Sequence, residues 1–305
     1  MGYSKKRIDY NNKWPDEIIK FAGQEAFEKL LNKKGIINIL RPIQLPLIND
    51  FQFQRLLSFK IDIYEQLPYR PDIAFDLAWR TFEAYSAYFS KVGNWNTTKA
   101  WKILNKVSED ILINQINENT NLQSVFLDLM NSVPLQATEF LVKRLFESTT
   151  ASLKSQQNQI IERVTDSLGP DLFDSFKTKY SVLTPDIQRK AGMLLQIMVT
   201  GTKVNIGGKD FQLNNLQKIK FLINRLLYTY RNERFHGDAF SPFKSSKTQI
   251  KTYSHSYYCL ITTYFFIAQL IYKHFEPEFN IDKIATTLKE NITRYNLVFD
   301  GHKRK

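Results

Sequence analysis

From Ser254 to Tyr272 the chain carries no lysine, arginine, aspartate or glutamate. A helix that is apolar all round has to be covered all round, by other protein or by lipid. His255, Thr262, Thr263 and Gln269 interrupt the run, which leaves it too polar and too short for a membrane span. The expectation is a buried core helix over about 248–275. Hydrophobic residues make up 43% of the sequence and aromatic residues 14%, enough to surround such a helix with a sizeable core.

The elements that supply this cover read as helices. Residues 72–91 place Ile73, Leu77, Phe82, Ala84, Tyr85 and Tyr88 on one broad apolar face, and helices follow at 98–118, 121–131 and 134–167. The middle of the last is polar between Ser148 and Gln159, which predicts a kink or an exposed stretch, and Gly169-Pro170 ends it. Val204 and Ile206 alternate before Gly207-Gly208, and Phe211 and Leu213 alternate after it, the pattern of a short β-hairpin over 202–213. A helix over 215–236 carries Leu216, Ile219, Leu222, Ile223, Leu226, Leu227 and Tyr230 on one face and stops at Gly237. The fold class expected is all-α, a helical bundle with an N-terminal helical extension and one short hairpin insertion. The expected division is 1–70 as that extension (a mobile basic arm at 1–13, a helix over 15–34 opened by Trp14-Pro15 and closed by Gly35, and an irregular proline-containing segment), 71–280 as the helical domain, and 281–305 as a C-terminal helix and basic tail.

Several chemistries are excluded by residue content. Cys259 is the sole cysteine, so neither an internal disulfide nor a cysteine-based metal site is possible. Lys5, Lys6 and Arg7 are followed by polar residues and not by an apolar stretch, so no signal peptide is expected and the chain suits a reducing, cytoplasmic compartment. Gly208-Lys209 runs into Asp210, not into a phosphate loop, and no H-E-x-x-H, C-x-x-C or G-x-S-x-G occurs. No cofactor and no metal are expected. The balance of 42 Lys plus Arg against 30 Asp plus Glu gives a net charge of +12, which favours a polyanionic partner.

The segment that carries chemistry is Tyr230-Arg231-Asn232-Glu233-Arg234-Phe235-His236-Gly237. At about 100° per residue, Arg231 and His236 sit roughly 140° apart on a regular helix, so they meet only if the last turn unwinds. The helix C-terminus favours a protonated imidazole at His236. A titrating imidazole and a fixed guanidinium suit cleavage of RNA at its own 2′-hydroxyl. The imidazole moves the proton, and the guanidinium grips the phosphate oxygens as charge builds there. Arg234 is a candidate phosphate contact. Lys244, Lys247 and Lys251 follow the motif, and the window 225–255 sets Arg225, Arg231, Arg234 and these lysines against only Glu233 and Asp238. Glu83, inside an apolar helix, needs a partner and is a candidate for pairing with the motif arginine. The bland alternative has His236 capping helix carbonyls and Arg231 pairing with Glu233 or Asp238. His255 reads as a buried, hydrogen-bonded residue and Tyr230 as core.

The stretch YRNERFHG resembles the R-x(4–6)-H signature of the HEPN superfamily, with Arg231, Asn232 and His236 in the matching positions and Gly237 as in the Apea-like branch. Residues 77–85 are similar to the opening helix of that fold. The resemblance implies a helical bundle in which two copies meet, so that both motifs line one cleft. It implies a metal-independent endoribonuclease with Arg231, Asn232 and His236 as catalytic residues, acting in phage defence or a toxin-type stress system. It also implies RNA as partner, a homodimer, and a neutralising antitoxin or sensor protein, with no membrane. Some members lack activity and only bind RNA or nucleotide, which is the alternative function.

Overall fold

The uncharged run lies inside the helix Ile250–His274, and every residue from Tyr253 to Ile271 is buried. A computed structural model of the chain describes residues 2–146, 151–182, 184–235 and 241–303. In chain order the elements are α1 (Tyr3–Lys13), α2 (Ala22–Lys34), α3 (Phe51–Glu65), α4 (Pro71–Val92), α5 (Ala100–Val107), α6 (Ile113–Glu118), α7 (Thr120–Asn131), α8 (Leu135–Phe146), α9 (Ala151–Leu168), α10 (Pro170–Tyr180) and α11 (Pro185–Val199). They continue with β1 (Val204–Ile206), β2 (Lys209–Phe211), α12 (Asn215–Phe221), α13 (Tyr228–Phe235), α14 (Ile250–His274) and α15 (Ile281–Phe299). The fold is all-α with one short hairpin.

Helix α14 is the axis. Helix α4 packs along it, α3 covers α4, and α15 bridges α14 and α7. Phe27 of α2 stacks on Tyr253 of α14 at 4.0 Å and lies 6.0 Å from Phe299 of α15, so the N-terminal segment shares the central core. Among the described residues no helix is long and apolar enough to cross a membrane.

The N-terminal region departs from the sequence expectation in three ways. The basic arm is helical: α1 is held by Tyr3 and Tyr10, whose rings lie 6.1 and 6.3 Å from Phe21, and by Arg7, which donates to the Lys244 carbonyl. The helix expected over 15–34 begins only at Ala22, because Phe21 turns into the core while Ile18 stays exposed. The irregular stretch ends at Asp50, whose carboxylate accepts from the Phe53 amide at 2.7 Å and caps α3. Before that cap, Asn291 clamps the Arg41 backbone through N–H and C=O at 2.6 and 2.9 Å, and the Tyr264 hydroxyl accepts from the Ile43 amide at 2.9 Å. Side chains thus satisfy a buried backbone that belongs to no ladder.

Gly35, at φ 64°, closes α2 with the Ile36 amide bonded to the Leu31 carbonyl. The helix expected over 134–167 is described as α8 and α9; residues 147–150, where the expected polar middle begins, lie outside the described residues. Pro170 and Pro185 open α10 and α11, two helices that the sequence pattern alone leaves unassigned. The hairpin pairs Val204 with Phe211 and Ile206 with Lys209, and its turn residues Gly207 and Gly208 both have positive φ, as a type I′ turn requires.

Candidate functional site

The motif helix grows from a cap and passes through a distortion. Asn214 and Gln217 form a reciprocal capping box at the start of α12. Leu222–Leu227 then widens into a π-helix before α13 resumes. A π turn holds one residue more than an α turn, so α13 is rotated relative to a continuous α-helix. The whole π segment is buried, Asn224 and Arg225 included.

A polar network at that level was not legible in the sequence. Asn224 donates to Asn105 at 2.6 Å, Asn105 donates to Asp166 at 2.9 Å, and Arg225 Nη2 lies 3.5 Å from the same carboxylate. Burial pulls the Arg225 guanidinium well below its usual pKa, and neighbouring Arg163 adds to the effect. Arg163 in turn lies over the Tyr228 ring at 4.7 Å. A charged residue with this degree of burial needs partners on other elements, and no local pattern points to them.

Helix α13 runs antiparallel to α4, and the two are joined by charge. Arg231 Nη2 lies 3.9 Å from Glu83 Oε2, and Arg231 Nη1 donates to Asn232 Oδ1 at 3.1 Å. The Arg231 side chain is 28% exposed and that of Glu83 32%, so this part of the motif meets solvent. One turn further on, Arg234 donates to Asp76 at 2.7 to 3.2 Å and to Asp72 at 3.1 Å. Arg70 closes the network with two bonds of 3.0 Å to Asp72, which is fully buried. Burial alone would draw the Arg234 pKa down; the hydrogen bonds to Asp76 and the nearby Tyr230 and Asp72 hold it above the ordinary value instead. Glu233 pairs with Arg144 of α8.

The expected site residues therefore divide. Arg231, Asn232 and Glu83 are brought together. Arg234 is a half-buried strut between helices and not a solvent-facing cation. Lys244 is engaged by aromatic rings, with its ammonium over Tyr10 at 4.9 Å and Phe21 at 4.7 Å, and burial lowers its pKa. Lys247 and Lys251 are exposed just before and within the first turn of α14. Helix α13 remains regular to Phe235; His236 and Asp238 lie outside the described residues.

The apolar face expected on α4 is corrected as well. The buried residues are Pro71, Asp72, Ala74, Phe75, Ala78, Trp79, Thr81, Phe82, Tyr85 and Ser86, while Ile73, Leu77, Ala84 and Tyr88 sit at its margins. Two arginines from outside the helix rotate a carboxylate into the core. The acidic spacing Asp72, Asp76, Glu83 on an otherwise apolar helix was the signal available for this.

His255 is buried against Tyr230 and Phe140, with ring centroids 4.8 and 5.3 Å away, and burial pushes its pKa down to about 4. Among the described residues no group of three or more His, Cys, Asp or Glu side chains could hold a metal ion. No family model, curated protein or solved structure matches the chain.

Proposed function

We propose that this chain is a metal-independent endoribonuclease in which Arg231 and His236 break a phosphodiester with the help of the RNA's own 2′-oxygen. The observation that carries the reading is Arg231 itself. Its guanidinium stands at the edge of solvent near the end of α13, beside Glu83 and Asn232, five residues before the only histidine of an R-N-x-x-x-H-G segment. A guanidinium held in this way can take the equatorial phosphate oxygens with little reorganisation.

In the proposed reaction the 2′-hydroxyl loses its proton to an imidazole as the 2′-oxygen attacks phosphorus. The bond to the 5′-oxygen breaks, and that oxygen is protonated as it leaves. The products are a 2′,3′-cyclic phosphate and a 5′-hydroxyl. Two copies of the chain would supply one His236 as base and the other as acid, with an Arg231 from each beside the phosphate. The resemblance to HEPN proteins supports this dimer and a role in phage defence or a toxin-type stress system. Lys247 and Lys251 have the exposure to meet RNA phosphates; Arg234 and Lys244 serve the fold.

A non-enzymatic RNA-binding module is the second reading, favoured by one observation: Arg231 already has a carboxylate neighbour in Glu83. Incubation of single-stranded RNA with the purified chain in EDTA separates the two. Cleavage that disappears in Arg231→Ala and in His236→Ala is the expected result. Salt-sensitive binding with no turnover supports the module, and cleavage undiminished in both variants rejects the assignment.

A further inference from the structure

Beside the motif helix lies a pocket of about 420 Å³, within the size range of small-molecule sites. Its walls come from the start of α4, from α8, from α13, from Ser241 and Pro242 and from the first turns of α14. On α13, Tyr230, Glu233 and Arg234 fall three and four residues apart, on the face towards the pocket, while Arg231 turns to Glu83.

The charged groups on the wall are all matched. Arg70 is paired with Asp72, Arg234 with Asp72 and Asp76, and Glu233 with Arg144. An anionic ligand would have to compete with carboxylates already in place, and a cationic one with guanidinium groups. The pocket is built for a molecule without charge.

Two polar groups on the same wall are unmatched. His255 Nε2 and Gln136 Oε1 are buried and have no hydrogen-bond partner among the described residues. Buried polar atoms are paired in most folded proteins, so two atoms without a partner among the described residues leave hydrogen-bonding capacity on the pocket wall that a ligand can take. Glutamine Oε1 accepts only, and a neutral imidazole offers one N–H and one lone pair. The rings of Phe140 and Tyr230 flank His255, and the Tyr230 hydroxyl is already engaged with Ser256 at 2.8 Å. The missing partner is thus uncharged, carries donor and acceptor on one edge, and presents an apolar, planar face.

We propose that this pocket is a subsite for a single uncharged nucleobase, whose edge bonds to Gln136 and His255 and whose face lies against the aromatic wall. The choice of a nucleobase among uncharged planar ligands rests on the RNA reading above. The base can come from a free nucleoside or from an unpaired nucleotide of a strand, and base–aromatic contact serves both.

The test uses the full chain with ¹⁵N-labelled histidine. The His255 imidazole signal is assigned by its loss in His255→Phe and followed by NMR during titration with adenosine, guanosine, cytidine, uridine and, as a non-nucleoside control, nicotinamide. A parallel titration uses a short 2′-O-methyl RNA, which cannot be cleaved through its 2′-oxygen. At least one nucleoside or the RNA is expected to shift the signal with a Kd of about 1 mM or tighter, and Gln136→Leu to weaken that binding about tenfold. A shift by nucleosides alone identifies a free ligand, and a shift by the RNA alone identifies a strand; both support the subsite. A signal moved by nothing, moved by nicotinamide only, or moved equally in Gln136→Leu overturns it. If Gln136→Leu fails to fold, the wild-type titration still decides. Cleavage plays no part in the readout, so a silent pocket with intact cleavage and an occupied pocket without cleavage are separate outcomes.

Discussion

Arg234 of α13 and Asp76 of α4 are joined by two nitrogens, with the closest approach, Nη2 to Oδ2, at 2.7 Å, and the same Nη2 reaches buried Asp72. This cross-helix tie fixes the end of the motif helix against the helix that also supplies Glu83. Its loss is felt first as stability. Asp72→Asn, which leaves two guanidinium groups facing a neutral amide in the interior, is expected to cost about 3 kcal/mol in urea unfolding; Asp76→Asn, at a partly exposed position, about 1–2 kcal/mol. An equal and small loss in both variants would show that the tie holds nothing in place.

The same geometry separates the basic residues by role. Each lysine that meets a phosphate of single-stranded RNA contributes about 0.7 to the slope of log affinity against log salt. Lys247→Ala and Lys251→Ala are each expected to lower that slope, whereas Lys244→Met leaves it unchanged. Affinity measured across a salt series by fluorescence anisotropy checks this. A slope reduced by Lys244→Met and untouched by the other two would invert the assignment.

Lys60 is buried with its ammonium over the Tyr264 ring at 5.3 Å, and burial lowers its pKa from 10.5 to about 7. The unfolded chain binds more protons than the folded one between those values, so stability should rise from pH 7 to about 10.5 and be lowest below 7. Lys60→Met is expected to flatten that rise and to stabilise the protein at neutral pH by about 1–4 kcal/mol. Chemical denaturation at pH 6.5, 8 and 9.5 reads both effects; a parallel pH slope in the variant would refute the explanation.

His255 gives a second titration in the acid range. Burial holds its folded pKa at about 4 against an ordinary value of 6.5, so folding excludes a proton and stability should fall as pH drops from about 6.5 to 4. His255→Phe should shrink the part of that fall due to this residue. Thermal unfolding at pH 4.5 and 7 makes the comparison, and an undiminished difference would point to other groups.

What could be read from the sequence depended on how local the cause was. The absence of charge from Ser254 to Tyr272 was enough to place α14, and Gly207-Gly208 was enough to place the hairpin. Gly169-Pro170 marks the end of α9, but nothing local assigns α10 and α11, because a proline that ends one helix opens the next equally well. The phase of α4 was misjudged because Asp72 is drawn inward by Arg70 and Arg234, and Arg234 lies 162 residues further along the chain. Arg225 and the π segment were invisible for the same reason: their partners Asn105 and Asp166 belong to other helices. Glu83 could be suggested from the sequence because an uncompensated charge on a largely apolar helix is costly, and Arg231 because it opens the Arg-Asn-x-x-x-His-Gly segment.

The most direct measurement is the chemistry of the ends. Mass spectrometry of fragments made from single-stranded RNA in EDTA should find 2′,3′-cyclic phosphates and 5′-hydroxyls, and no fragments from the all-2′-deoxy strand. Fragments ending in 3′-hydroxyl and 5′-phosphate, or cleavage of the deoxy strand, would contradict a reaction driven by the sugar's own oxygen between Arg231 and His236.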